Sequence, residues 1–341
     1  MLRETIMPAL ETLVGAACIG ALVLYALFGG ADFGGGVWDL LAWGPRAKRQ
    51  RALIESAIGP IWEANHVWLI LVVVVLFTGF PAAFAALGIA LHVPLTLLLL
   101  GIVMRGAAFT FRAYEDRGVA AQRGWGVLFS IASVVAPLLL GTIVGALASG
   151  DLRLVNGVPA HGFLSPWTQP FPLTVGVFAL ALFALLAAVY LTAEADEEDL
   201  REDFRLRALI TSAVVGALAL VVFLLAETGA PLVRSGLTNR AWALPLHATT
   251  ALAGITLVIA LLNRRTLFAR IAAAAQVALI VLGWAASQFP YLIVPDVTLT
   301  SAAAPPATLR LLLGALVVGS LVLWPSLFLL FRIFKAHKTS V

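Results

Sequence analysis

The chain has 341 residues, of which 61% are hydrophobic and only 12% are charged, about half the charged share of a typical soluble domain. Its net charge of +4 is spread over several short segments, a pattern that does not indicate a nucleic-acid partner. The single cysteine, Cys18, excludes disulfides within the chain and cysteine clusters for zinc or iron–sulfur groups. The sequence therefore predicts an all-α, polytopic membrane protein, since a transmembrane barrel would alternate apolar and polar residues.

Apolar segments alternate with short polar ones and predict about nine membrane-spanning helices in a single integral membrane domain, residues 1–341. The first is longer than a bilayer crossing needs, so we expect it to tilt, break or protrude. The even spacing permits two four-helix bundles plus one peripheral helix. The predicted spans are 9–39, 53–77, 82–110, 124–148, 170–192, 208–226, 245–262, 271–289 and 308–332.

Basic residues distinguish the two sides of this topology. Most of the 22 Lys and Arg residues lie in segments 40–52, 111–123, 193–207 and 263–270 and in the C-terminal tail. Cytoplasmic loops carry such an excess, which predicts an outside N-terminus and a cytoplasmic C-terminus. The acid-rich loop 194–203 is expected to be a solvated turn.

A glycine-rich element in span one surrounds an acid. Residues 29–36 read Gly-Gly-Ala-Asp-Phe-Gly-Gly-Gly, and Gly30 and Gly34 have the spacing that lets helices approach closely. Asp32, near the cytoplasmic end of the span, is expected either to pair with a cation or to be protonated.

Arg105, at a similar depth in span three, is the candidate charge partner of Asp32. The pair is either structural or tunes proton or electron chemistry. Asp39 and Glu55 lie nearer the basic loop and are expected to be solvated.

The segment 58–68 places an acid and a histidine in an apolar span, with the sequence Ile-Gly-Pro-Ile-Trp-Glu-Ala-Asn-His-Val-Trp. If the helix restarts at Pro60, Glu63 lies one turn inside the cytoplasmic face, and if it is continuous, Glu63 lies near mid-membrane. Either way we expect Glu63 to be buried on one inward face with His66, as a proton relay or as a packing pair. The other residues of this candidate motif are Trp62, Asn65 and Trp68.

The remaining histidines show no haem-binding pattern. His92, His161, His247 and His337 are isolated in the sequence, and Cys-x-x-Cys-His is absent. We therefore expect this chain to bind neither haem nor metal.

Three blocks resemble subunit II of the cytochrome bd-type quinol oxidases, including the cyanide-insensitive branch. They are the glycine element 29–36, the block 58–69, which is similar to the family's Pro-x-Trp-Asp/Glu-x-Asn-x-Val-Trp-Leu signature, and the block 288–295, which is similar to its Gln-Phe/Tyr-Pro element. The similarity extends over nearly the whole chain.

The resemblance implies two four-helix bundles, a peripheral helix and a heterodimer with a haem-bearing subunit I in the bacterial cytoplasmic (inner) membrane. That partner would hold two b-type haems and one d-type or b-type haem, while this chain would bind no haem and would not be catalytic alone. Some members hold a structural quinone or lipid, and a small accessory subunit is a further potential partner. The complex would act in respiratory electron transport, oxidising quinol and reducing oxygen electrogenically to water.

The resemblance also implies that Glu63 lines a cytoplasmic proton-uptake path, with Asp32 and His66 nearby and Arg105 as charge partner. Some members have an Asp five residues after this arginine, and here that position is Thr110. The entrance therefore differs, or the partner supplies the acid.

Two alternatives stay open from the sequence. A proton-coupled secondary transporter would use Glu63 and Asp32 beside helix breaks. A purely structural assembly subunit would use the polar residues for packing alone.

Overall fold

The computed structural model describes residues 9–58, 62–114, 119–155, 158–160 and 162–336. The elements follow in chain order: α1 (Leu10–Leu40), α2 (Ala47–Ile58), α3 (Trp62–Gly79), α4 (Pro81–Ala90), α5 (His92–Tyr114), α6 (Val119–Ser149), β1 (Leu154–Val155), β2 (Val158–Pro159), α7 (Ser165–Thr168), α8 (Pro170–Glu194), α9 (Glu198–Gly229), α10 (Pro231–Asn239), α11 (Ala243–Leu262), α12 (Thr266–Gln288), β3 (Tyr291–Ile293), β4 (Val297–Thr298), α13 (Leu299–Ala302) and α14 (Pro306–Ala336).

The predicted all-α, polytopic membrane fold is confirmed. Within the described ranges, eight helices are long and apolar enough to cross a membrane, and α2 with α3 adds a ninth if this pair, bent by 55°, is one span. The long first span is one unbroken helix of 31 residues, α1. The segment predicted as span three, in contrast, is two helices, because the backbone leaves helical geometry at Leu91 between α4 and α5.

Proline determines where several helices begin. The first residues of α4, α8, α10 and α14 are Pro81, Pro170, Pro231 and Pro306. A proline fits the first helical turn because its missing N–H would have no partner within the helix and its φ angle is already helical.

The spanning helices form two groups that share an interface. The first bundle contains α1, α3, α5 and α6, and the second contains α8, α9, α11 and α12. The two meet where α1 and α6 pack on α8, and where α1 also contacts α12. Helix α14 packs on α1 and α3 with only 6% of its apolar stretch buried, so it is the peripheral helix.

Two glycines of α1 bring α8 close to it. A Cβ atom on Gly34 would collide with the backbone carbonyl of Phe183, and one on Gly30 would lie 2.6 Å from the Phe183 ring. Both glycines are buried, in keeping with the predicted close packing. Asp32 lies between them on α1 and is therefore carried into the protein interior.

The two ends of the molecule differ in character. One end, here called the basic end, carries Arg46, Arg49, Arg112, Arg264 and Arg270, which ion pairs connect to acids of neighbouring elements. The opposite end carries two antiparallel hairpins, β1–β2 and β3–β4. Asp296 joins them by accepting hydrogen bonds from the Arg153 side chain and the Leu154 amide.

Candidate functional site

A buried ion pair joins α1 to α5 inside the first bundle. Arg105 Nη2 lies 3.0 Å from Asp32 Oδ1, and Arg105 Nη1 donates to Asp32 Oδ2 at 3.1 Å. Each side chain is only 1% exposed. Only the Nη1–Oδ2 contact has hydrogen-bond geometry, and Asp32 Oδ1 has no hydrogen-bond partner among the described residues, but at these distances each charge neutralises the other.

The remaining Arg105 donors are also used. Nε donates to Ser133 Oγ at 3.0 Å, and Nη2 donates to the Asp32 carbonyl at 3.1 Å. The guanidinium also stacks on the rings of Phe33 and Phe129, at 5.0 and 4.9 Å from their centroids. A buried charge is tolerated only when it is paired and hydrogen-bonded, and Arg105 meets both conditions.

A second ion pair lies nearer the basic end. Arg112 Nη1 donates to the two carboxylate oxygens of Asp39 at 3.2 and 3.3 Å, and Ser130 Oγ donates to Asp39 Oδ2 at 2.9 Å. Asp39 is only 4% exposed, so the prediction that it is solvated is wrong. Glu55, whose side chain is 44% exposed, lies 3.7 Å from Arg112 Nη2. The arginine therefore stands between a buried and a half-exposed carboxylate.

The spacing of the two pairs was a signal in the sequence. Asp32 and Asp39 are seven residues apart, and so are Arg105 and Arg112. Seven residues are two helical turns, about 10 Å along the axis, and place both members on one face. Two parallel helices with this spacing form two successive pairs.

The sequence-predicted residues of α3 do not share one surface. Asn65 and Trp68 are buried, and the Trp68 ring packs on Trp324 of α14 at 5.7 Å. Glu63 is exposed on the surface of the chain, so the expectation that it shares an inward face with His66 is wrong.

His66 is half-buried against aromatic rings of α1. Its imidazole lies 6.1 Å from the Tyr25 ring and 5.8 Å from the Phe33 ring, measured between centroids. Phe33 also covers Arg105, so one side chain separates His66 from the buried ion pair.

The helix restarts shortly before Glu63. Helix α2 ends at Ile58 and α3 begins at Trp62, which puts Glu63 in the first turn of α3. The partial positive charge of a helix N-terminus favours an anionic carboxylate there. Pro60 and the Trp62 side chain lie outside the described residues.

The acid-rich loop 194–203 is held by arginines rather than only solvated. Arg46 donates two hydrogen bonds to Asp203, at 2.8 and 2.6 Å, and Arg49 pairs with Glu197 and Asp199. The Asp203 carboxylate raises the pKa of the Arg46 guanidinium above its ordinary value, mainly through these hydrogen bonds. Exposed pairs are individually weak, but this group connects α2 to the α8–α9 junction.

A cavity of about 570 Å³ lies between the two bundles, lined by α1, α6 and α8 to α12. Its walls are almost entirely aliphatic and aromatic, and the residues with polar groups are His247, Thr250, Gln276 and Trp284. No described residue offers a hydrogen-bond partner to Gln276 Oε1 or Trp284 Nε1, although both atoms are buried. Because buried polar atoms are normally paired, a ligand with an apolar body and a polar head fits this cavity.

Gln288, in the third sequence block, has a structural position. Its Nε2 donates to the carbonyls of Tyr291 and Leu292, at 3.3 and 3.0 Å, and so supports the turn into β3. In the part of the chain that the structure describes, no group of three or more His, Cys, Asp or Glu side chains could hold a metal ion.

Comparison with protein families gives one match that spans nearly the whole chain. The family described as "Cytochrome bd terminal oxidase subunit II" matches residues 10–334. This range includes every candidate residue discussed above.

Individual relatives have low sequence identity to this chain but align with it over long regions. "Putative cytochrome bd menaquinol oxidase subunit II" of Bacillus subtilis (strain 168) is 24% identical over 94% of each chain. "Cytochrome bd-I ubiquinol oxidase subunit 2" of Escherichia coli (strain K12) is 29% identical over 63% of this chain and 54% of that protein. A chain of the bd oxidase structure from Geobacillus thermodenitrificans shares the fold with a TM-score of 0.77 and 22% identity, covering 95% of this chain and 98% of that one.

Proposed function

Because the chain belongs to the cytochrome bd terminal oxidase subunit II family, we propose that it is the non-haem subunit of a quinol:oxygen oxidoreductase. It is a component of an oxidoreductase complex whose family implies haems in the partner subunit. In this proposal subunit I forms a heterodimer with this chain and holds those haems, together with the sites where quinol is oxidised and oxygen is reduced to water. The observation that carries the proposal is the family match over residues 10–334.

The proposed chemical role of this chain is to line a proton-uptake path for oxygen reduction. The exposure of Glu63 on a mostly apolar helix supports this role. A carboxylate left uncovered in a membrane span is costly unless a partner chain or water meets it. Glu63 would then face subunit I and pass protons to it, with His66 beside the path.

The Asp32–Arg105 pair would set the local charge in this proposal. The two charges lie within 3.1 Å of each other, Ser133 accepts a further hydrogen bond from Arg105, and both side chains are sealed from solvent. A neutralised pair of this kind is suited to hold a fixed field near the path rather than to exchange protons.

The proposed orientation places the basic end in the cytoplasm of a bacterium. The arginines that cluster there support it by the positive-inside rule. The N-terminus would be outside, the C-terminus would be cytoplasmic, and the membrane would be the inner one. Protons for the reaction would then be drawn from the cytoplasm, which makes the reaction electrogenic.

The cavity between the bundles is the proposed place for a structural quinone or lipid. Its apolar walls suit an isoprenoid or acyl chain, and the Gln276 and Trp284 atoms that lack a partner among the described residues suit a polar head group. Trp284 Nε1 needs an acceptor, whereas Gln276 Oε1 needs a donor.

The test is oxidase turnover and proton uptake in the purified complex carrying Glu63→Gln. We expect both to fall by about 10²-fold, since a positioned proton donor contributes at least that much to such steps. Glu227→Gln is the matched control, because Glu227 is an exposed acid on a span of the second bundle. Unchanged turnover in a fully assembled, haem-loaded Glu63→Gln complex would remove the relay role.

The same preparation separates the two alternatives. A coloured complex with a second, haem-bearing chain supports the oxidase, whereas a colourless chain that moves a solute would support a transporter. If polar substitutions lower haem content but leave turnover per haem unchanged, the chain is an assembly subunit only.

A further inference from the structure

We propose that Asp39 is a proton-collecting carboxyl at the basic end, loaded from solvent through Glu55 and serving the path that includes Glu63. This inference rests on the proposed function, since it needs an oxidase that draws protons past this chain. It concerns residues that lie outside the three sequence blocks.

Exposure falls step by step from the surface to Asp39. The Glu55 side chain is 44% exposed, the Arg112 side chain 19%, and the Asp39 side chain 5%. Arg112 touches both carboxylates, at 3.7 Å and 3.2 Å, so the two acids lie on either side of one guanidinium. A proton that arrives at Glu55 therefore has a short route towards the interior, because only one guanidinium separates the two carboxylates.

Ser130 allows Asp39 to change its protonation state without leaving a buried group unsatisfied. Its hydroxyl lies 2.9 Å from Asp39 Oδ2 and 3.0 Å from the Gly126 carbonyl. One hydroxyl proton can serve only one of these two acceptors. When Asp39 takes up a proton, the Ser130 hydroxyl can therefore rotate and donate to the Gly126 carbonyl, so that it keeps a hydrogen bond.

The inner pair offers no such freedom. Ser133 accepts from Arg105 Nε at 3.0 Å and donates its only proton to the Phe129 carbonyl at 2.7 Å. Asp32 meets a guanidinium that is itself fully buried. Ser133 therefore cannot turn as Ser130 can, and in this proposal a proton on Asp39 moves on towards Glu63 rather than through the inner serine.

The charged and polar groups around Asp39 are few. Arg112 faces it from α5 and Ser130 from α6, while from α2 Glu55 lies across Arg112 and Arg51 donates to the Asp39 carbonyl at 3.4 Å. On the side of α9, Arg207 stacks on the neighbouring Trp38 ring at 5.2 Å. Among the side chains that the structure describes, Glu55 and Asp39 are thus the acids of this cluster, and the arginines hold their charge throughout.

Thr110 cannot act as the entrance. It is exposed on α5, and its hydroxyl donates to the Gly106 carbonyl of its own helix at 3.1 Å. In this proposal Glu55 and Asp39, which Arg112 of the same helix contacts, supply the carboxyl that this position lacks.

The chemical step is a proton transfer alone. In this proposal the Glu55 carboxylic acid releases its proton to water beside Arg112, that water protonates the Asp39 carboxylate, Glu55 becomes anionic and is reloaded from solvent, and no electrons move. Arg112 remains protonated before and after the transfer.

The experiment measures oxidase turnover per haem from pH 6 to pH 8.5 in the purified, assembled complex. We expect Asp39→Asn to slow turnover about tenfold at the alkaline end, where protons are scarce, and much less at the acidic end. Glu55→Gln should shift the profile in the same direction by a smaller factor, because solvent can still reach the cluster. Asp39→Glu, which keeps a carboxyl, should restore most of the wild-type profile.

Controls keep the result interpretable. Asp203→Asn removes an ion-paired acid elsewhere at the basic end and should leave the pH profile unchanged. If Asp39→Asn does not assemble, Glu55→Gln decides, since Glu55 is half-exposed and its loss breaks no buried contact. A wild-type pH profile in Asp39→Asn, or in Glu55→Gln in that case, overturns the proposal. Glu63→Gln then distinguishes two failures. If turnover is slow in Glu63→Gln but the pH profile of Asp39→Asn is that of the wild type, only the proposed role of Asp39 is wrong. If Glu63→Gln is also unchanged, the proposed proton path through this chain is wrong.

Discussion

Replacing Arg105 by Met, with Asp32 left in place, is expected to destabilise the protein by about 3–5 kcal/mol. Both side chains are 1% exposed, so water cannot take over the role of the guanidinium. The variant would lose both contacts to the carboxylate and the bonds to Ser133 and the Asp32 carbonyl. The cost comes mainly from the uncompensated charge that remains inside the bundle.

The double variant Asp32→Asn/Arg105→Met separates charge from packing. It removes both charges, so it should be more stable than Arg105→Met, with a coupling energy of about 2–3 kcal/mol in the double-mutant cycle. Arg112→Met is the comparison variant, and it should cost less because that side chain remains partly in contact with solvent. The assay is reversible unfolding of the purified complex in mixed micelles, followed by tryptophan fluorescence. A coupling energy within about 0.5 kcal/mol of zero would refute the reasoning.

Two further predictions concern packing and the cavity. Gly34→Ala should destabilise the chain by about 1–3 kcal/mol in the same unfolding assay, because its Cβ would push against the Phe183 backbone. Gly20→Ala on the same helix is the control. Its Cβ meets no atom within 4 Å, so this variant should be neutral or slightly stabilising. Gln276→Leu should reduce, by about fivefold or more, the quinone or lipid that mass spectrometry detects in an organic extract of the purified complex, since losing a buried hydrogen bond costs about 1 kcal/mol or more. If the Gln276→Leu and Trp284→Phe complexes each yield as much quinone or lipid as the wild-type complex, the cavity does not hold this ligand.

Much of the architecture followed from composition and spacing. Long apolar segments with few charges predict helices because a bilayer leaves no other partner for backbone groups. The packing glycines of α1 were readable because glycine acts through local backbone geometry, whereas the sequence left open whether the helix restarts before Glu63 or is continuous. The structure adds that span three is split at Leu91, where neither glycine nor proline stands.

For the polar side chains, the sequence could predict some contacts and not others. The contact between Asp32 and Arg105 could be anticipated from depth alone, because a buried charge requires a partner and few partners exist in the membrane. Asp39 could also have been found, through its seven-residue spacing from Asp32, but its nearness to a basic loop suggested solvation. Its burial depends on α6, which contributes Ser130 and closes the bundle over it.

By itself, the sequence determined which segments are helical, which end of the molecule is basic and which acids lie within apolar helices, because each of these depends on residues close together in the chain. Only the tertiary structure decided which acids are covered. Glu63 and Asp39 both lie beside apolar segments, yet Glu63 is on the outer surface of α3 and Asp39 is enclosed by α5 and α6. Burial depends on how a helix is rotated against neighbours that are distant in sequence, and no local pattern determines that rotation.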